Sequence, residues 1–252
     1  ALSPNIKVLH AQGYIEDVSN SALAEIERIL VPKKTLESYY QNSSWSNYVL
    51  INEEGTDPLK LTINMSKAGE FAQLLLERID NNWNKVNELT VVGALSQDDL
   101  DVFKRMRQLT KLDLSNAFIT DIPDNFAGYN SWDVNSSLSI LQEVKLPEVN
   151  RIGDNAFSYC KKLSKINMSK VNSIGSHAFH SCGIASITLP DGITEIGEGA
   201  FSYCKKLKSI VIPSSVTEIS ENCFYQCENL ASVTIPSSVI SIGSDAFAYT
   251  AL

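Results

Sequence analysis

The sequence predicts an α/β solenoid, a stack of short coils with a parallel β-sheet along one face, instead of a globule folded around a single centre. Three observations predict it. The phrases IGDNAFSYC, IGSHAFHSC, IGEGAFSYC, ISENCFYQC and IGSDAFAYT put phenylalanines at Phe157, Phe179, Phe201, Phe224 and Phe247, separated by 22, 22, 23 and 23 residues. Between them an apolar phrase recurs as Ile184, Ile187, Leu189, then Leu207, Ile210, Ile212, then Leu230, Val233, Ile235, closed by Pro190, Pro213 and Pro236. A shorter apolar pair follows each: Ile193 and Ile196, Val216 and Ile219, Val239 and Ile242. A period in the twenties marks supersecondary units that cannot bury an apolar side alone and must stack.

Residues 1–54 read as a cap or as the tail of a preceding array. Leu23, Ile26, Ile29 and Leu30 are spaced for one face of a short helix that Pro32 ends, and Trp45, Tyr48, Val49 and Ile51 suit an edge strand or packed tail. Residues 55–126 hold longer, helix-bearing repeats. Leu59, Leu61 and Ile63 alternate as a strand, and Ser66 starts a helix through Phe71, Leu74, Leu75 and Ile79. Leu89 and Val91 repeat the strand; a second helix runs from Ser96 through Leu100, Val102, Phe103 and Met106, with Ser96 and Asp99 spaced as a capping pair. Residues 127–140 carry an insert, because Phe126 to Leu141 spans 15 residues where Phe157 to Leu163 spans six. The insert is expected to bulge from the convex side. Its Trp132 either meets a partner or folds back over Tyr129.

Residues 141–252 are the regular coils. In L-x-x-L-x-L the last two apolar side chains share one face of a short strand, and the residues between them face the other way. Proline lacks the N–H that a ladder needs, so Pro190, Pro213 and Pro236 end each strand at one place. Gly153, Gly175, Gly197, Ser220 and Gly243 open the turn into the phenylalanine segment, where Ala156, Ala178, Ala200, Cys223 and Ala246 leave room for the ring. Burying such a ring contributes roughly 1.5–3 kcal/mol, and truncating it costs about 3–5 because a cavity remains.

The combination of L-x-x-I-x-L/I-P, V-x-x-I-G and A-F-x-x-C resembles the BspA-type (treponemal) leucine-rich repeat of bacterial surface proteins, over about Gln108 to Leu252. It departs from the commoner leucine-rich repeat, which has an asparagine ladder in place of the proline. The resemblance implies a curved right-handed solenoid with its parallel sheet on the concave face. It also implies a non-enzymatic, adhesin-like protein, secreted or displayed on the bacterial cell surface. The phrase VPKKTLESYYQNSSWSNY resembles the segment closing such arrays, so residues 1–54 are either the end of one array or an N-terminal cap.

A net charge of −8 with 20% charged residues argues against a nucleic-acid or anionic-membrane partner. No run of 18 apolar residues is present for direct membrane insertion, and no leader pattern is visible. Cys160, Cys182, Cys204 and Cys227 fall at one coil position and read as a column of buried thiols; no metal site and no cofactor is expected. His177 and His180 read as solvent-facing imidazoles on an outer turn. No nucleophile elbow, P-loop or H-E-x-x-H motif is present.

What remains is a surface. The outward strand residues form a column: Lys111 and Asp113, Glu143 and Lys145, Lys165 and Asn167, Ser186 and Thr188, Ser209 and Val211, Ser232 and Thr234. A side-chain-poor sheet of this kind suits extended contact with an extracellular protein or glycan. The alternative is a structural or targeting module appended to an enzyme or anchor domain outside this stretch. Leu252 aligns with Ile184, the start of an uncompleted strand phrase, so further coils or end-to-end self-association is expected.

Overall fold

The computed structural model describes residues 59–79, 83–128 and 138–252 in full, and the backbone of three strands, Val8–His10 (β1), Arg28–Val31 (β2) and Val49–Asn52 (β3). These three form a parallel sheet in the order β1-β2-β3. The helix expected up to Leu30 is therefore a strand from Arg28 onward. Ile29, Leu30 and Val31 make a short apolar run of strand length before Pro32, and pairing on both edges overrides their helical spacing. Leu23, Ile26, Trp45, Tyr48 and Trp132 lie outside the described residues.

The helix-bearing repeats run through β4 (Leu59–Asn64), α1 (Phe71–Ile79), β5 (Val86–Ala94), α2 (Gln97–Val102) and β6 (Lys111–Phe118). Helix α1 begins at Phe71 and not at Ser66. The Glu70 carboxylate accepts from the N–H groups of Ser66 and Lys67, which turns the chain before the helix. Ser96 and Asp99 form the expected capping box on α2. The Asp99 carboxylate, 2% exposed, also accepts from the N–H of Gly69 at 2.7 Å and of Phe71 at 3.1 Å. One buried anion thus satisfies orphan donors at the starts of both helices and locks successive repeats together.

The regular coils contribute β7 (Asp121–Ile122), β8 (Glu143–Lys145), β9 (Arg151–Ile152), β10 (Lys165–Ile166), β11 (Ser173–Ile174), β12 (Glu195–Ile196), β13 (Ser209–Val211), β14 (Glu218–Ile219), β15 (Ser232–Thr234) and β16 (Ser241–Ile242). Every pairing is parallel, as the solenoid requires. One row of strands runs β4-β5-β6-β8-β10 and then β13-β15; the other runs β7-β9-β11-β12 and then β14-β16. Each row is interrupted. In the first, Ser186–Thr188, expected as a strand, is none. In the second, hydroxyls replace the ladder: Ser215 Oγ donates to the carbonyls of Asp191 and Ile193, and Ser220 Oγ to that of Ile196 at 2.6 Å.

The phenylalanine segments form a third edge, and its main-chain ladder is continuous. The N–H groups of Phe157, Phe179, Phe201 and Phe224 donate to the carbonyls of Ala178, Ala200, Cys223 and Ala246 at 2.8, 2.8, 2.9 and 2.8 Å. Residues two before and two after the rings, among them Asn155, Tyr159, Asn222 and Gln226, have φ between 53 and 60°. The alternation lets a turn present its amides to the coils on either side, and non-glycine residues hold it at a conformational cost. The rings stack as expected, with centroids 5.3–5.7 Å apart and planes within 11° from Phe157 to Phe247. The column extends further than the repeat phrase: Phe71, Phe103 and Phe126 continue it at 5.0, 5.5 and 5.8 Å. One core therefore runs through both kinds of repeat. The glycine after the second strand serves close approach and not left-handed φ, since a Cβ on Gly197 would lie 2.6 Å from the Ser176 nitrogen.

Candidate binding surface

The column of outward residues is present and solvent-facing, with Asp113 and Glu143 half-buried and the others exposed. Strand register aligns Lys60, Glu88, Lys111, Glu143 and Lys165 across the first sheet, so the charges alternate in sign from strand to strand. Lys60 and Glu88 escaped the sequence reading. Their signal was the same alternation, one place in from Leu59 and Leu89. Glu88 takes Lys60 at 3.2 Å and Lys111 at 3.0 Å, and Asp113 takes Lys145 at 3.1 Å. Burial works to raise the carboxyl of Glu88, but the hydrogen bonds and charges of Lys111 and Lys60 outweigh it and hold the group below the usual value. Burial opposes the same shift at Asp113, where Ser115 and Lys145 prevail. Asp113 in turn raises Lys145. Much of the charged half is thus neutralised internally.

Asn167 is already engaged. Its side-chain oxygen accepts from the Leu146 N–H at 2.7 Å and its amide donates to the Leu146 carbonyl at 3.0 Å. A side chain here performs the work of a strand partner, so Asn167 lies just past β10 and not within a longer strand. Beyond it the column loses its charge: Ser209 faces Ser232 and Val211 faces Thr234 across β13 and β15. Val211 is 63% exposed, an apolar side chain on the open face. Where the two halves meet, a cleft of about 590 Å³ opens between Ser164–Ser169 and Ile184–Pro190, with Glu143 and Lys145 at one end.

The other candidate groups are structural. His180 is not solvent-facing. Its ring lies 4.8 Å from Tyr159 and 5.0 Å from Tyr203, and its Nδ1 is 2.7 Å from Ser202 Oγ. Burial first, and then His177, depress its pKa to about 4, so it stands neutral in an aromatic file on the outer edge. All five cysteines are buried and free. The thiols of Cys182, Cys204 and Cys227 each donate, at 3.1 Å, to the carbonyls of Phe157, Phe179 and Phe201 in the preceding coil. Among the described residues no group of three or more His, Cys, Asp or Glu is placed to hold a metal ion, and no helix is long and apolar enough to cross a membrane.

No curated protein sequence matches the chain. Among solved structures it is similar to a leucine-rich repeat protein of Treponema pallidum at 25% identity, covering 53% of this chain and 73% of that one, with a TM-score of 0.40. A leucine-rich repeat protein of Bacteroides ovatus is 22% identical over 76% of this chain, with a TM-score of 0.44; the match spans only 50% of that protein's length. A leucine-rich cell surface protein of Faecalibacterium prausnitzii is 18% identical over 96% of this chain and 67% of its own, with a TM-score of 0.38. The model of the BspA type leucine rich repeat region matches residues 135–252 in six copies, starting later than the Gln108 expected from the phrase alone. The stacked phenylalanine coils of residues 135–252 are a BspA-type leucine-rich repeat array.

Proposed function

We propose that the chain is a non-enzymatic binding protein, secreted or displayed on a bacterial cell surface, that recognises a host or microbial macromolecule through the open face of its first row of strands. The observation carrying this reading is the file of exposed side chains, charged toward the N-terminus and hydroxylated toward the C-terminus, presented by the two parallel sheets of the first strand row. Such a face gathers affinity from many modest contacts over several coils. The repeat family supports both the adhesive role and the surface location.

Arrays of immobilised matrix proteins and glycans, probed with the 252-residue chain, test the reading. Saturable binding to at least one ligand is expected, and S209W with S232W, which put bulk on the open face, should abolish it. Failure of every ligand, or binding indifferent to both substitutions, overturns it.

A further inference from the structure

We propose that the rim between the phenylalanine edge and the first strand row carries a second site, a lysine-lined trough that takes a sulfated polysaccharide. The trough lies beside the open face of the strands and does not depend on that face binding anything.

The sequence builds it. FSYCKKL occurs twice, at Phe157–Leu163 and Phe201–Leu207, and the coil between reads FHSCGI at Phe179–Ile184. Where its neighbours carry two lysines, this coil has the single residue Gly183, and it continues with Ala185 and Ser186. No side chain fits at the glycine, since a Cβ there would lie 2.5 Å from the Lys161 carbonyl oxygen. On the far side the Lys208 N–H donates to the Ala185 carbonyl at 3.2 Å. The three coils are packed main chain to main chain, so the depth of the trough comes from side chains alone. Lys161, Lys162 and Lys165 stand on one bank and Lys205, Lys206 and Lys208 on the other, all exposed. Two coils separate the banks, roughly 10 Å at one strand spacing per coil.

Positive charge gathers here on a chain of net charge −8. Of the nine Lys and Arg between Leu141 and Leu252, six line the trough, whereas eight of the ten Asp and Glu of that stretch lie at other coil positions. The remaining two flank it from outside: Glu143 is in register with Lys165, and Glu228 meets Lys205 at 2.6 Å. Among the described residues Lys161, Lys162, Lys206 and Lys208 form no ion pair. Like charges held together in this way repel one another and attract a polyanion.

The floor decides which polyanion. Gly183, Ala185 and Ser186 give no ring for a nucleic-acid base to stack on, no large apolar side chain to enter a bilayer, and no pocket for a peptide side chain. The banks hold lysine and no arginine. An ammonium is a point charge that meets an oxyanion from any direction, where a guanidinium fork would select one planar geometry. These properties suit a narrow sugar chain whose sulfate groups project to both sides.

Calorimetric titration of the intact chain with heparin oligosaccharides tests the site, beside the same sugars stripped of sulfate, inorganic polyphosphate, single-stranded DNA and phosphatidylserine vesicles. Heparin is expected to bind best, to weaken about tenfold or more between about 50 and 200 mM salt as counterions are released, and to lose its hold when desulfated. K162A with K206A should weaken it about tenfold, and A185E, which sets a carboxylate on the floor, should abolish it. K170E changes the net charge as much as the lysine pair does, but outside the trough, and should alter binding less than about twofold; S232W on the open face should do the same. All five positions are exposed, and circular dichroism checks the fold of each variant; should A185E misfold, the lysine pair decides. Absence of heparin binding, equal binding of the desulfated sugar, tighter binding of polyphosphate, DNA or vesicles, or an equal loss in K170E overturns the proposal. Loss of heparin in S232W moves the glycan to the open face and removes the trough. A chain that holds heparin in S232W as in the parent, and binds no other immobilised ligand, keeps the trough and loses the open-face function.

Discussion

Each coil has a phenylalanine edge and a strand edge, and both join neighbours by parallel main-chain hydrogen bonds. The first ladder runs unbroken from Asn125 to Ala248, while the second stops after β10 and resumes at β13. The difference follows from what each edge must bury. A phenylalanine one residue out of place loses ring contacts above and below, so its spacing stays at 22 or 23. An outward serine or lysine loses little when its coil shifts. The ring column therefore holds the stack, and the residues of the strand face are free to vary.

The largest effect that could break this comparison is F201A against S209A. Phe201 is fully buried between two stacked rings, and its truncation should cost about 3–5 kcal/mol in urea unfolding. Ser209 faces solvent, and its truncation should stay within about 0.5 kcal/mol. Similar losses for the two would remove the distinction between the edges.

Asp99 extends the comparison to the helix-bearing repeats, where a buried carboxylate partly takes over what the ladder does later. D99A should cost about 1–3 kcal/mol by stranding the Ser96, Gly69 and Phe71 amides. Burial works against ionisation here, but the hydrogen bonds from Ser96, Gly69 and Phe71 prevail and lower the folded pKa. A depressed carboxylate stabilises fully above its unfolded pKa of about 3.9 and loses that contribution as pH falls through the folded value. Unfolding midpoints measured from pH 6 downward should fall for the parent and flatten for D99N; parallel curves would contradict the assignment.

Much of this was legible in the sequence, for physical reasons. Ring-to-ring burial forces identical spacing, so the phenylalanine column, the thiol file and the alternating strand residues could be read from period alone. Three features could not. Arg28–Val31 is too short for periodicity to tell strand from helix, and pairing decided it. The outer imidazole of His180 looked solvated because its aromatic neighbours, Tyr159 and Tyr203, come from adjacent coils. The gap at Ser186–Thr188 was written in the 21-residue step from Leu163 to Ile184, yet the unchanged phenylalanine spacing masked it.

The thiol file gives a smaller test of the stable edge. Cys204 lies in the core, and its loss in C204A should cost about 1 kcal/mol, since the Phe179 carbonyl keeps the Cys182 N–H as a donor. Burial pushes these thiols up, Cys227 to about 12. Iodoacetamide at pH 8 should therefore leave all five unmodified in the folded chain and label them in urea. Rapid labelling without denaturant would place them at the surface.

The smallest expected effect sharpens the comparison within the strand edge itself. Glu88 sits between Lys60 and Lys111, and exposed pairs of this kind contribute about 0.2–1 kcal/mol that salt screens. E88Q should thus lower stability slightly at low ionic strength and make no difference at 1 M salt, while S232A on the uncharged half should be indifferent to salt throughout. Glu88 is held below the ordinary carboxylate value, so its contribution must vanish as pH falls through the folded pKa, and E88Q must show no such step. A salt-independent loss in E88Q would mean that the side chain matters through its packing along β5 and not through its charge. The alternating file would then be a by-product of strand register instead of an electrostatic brace.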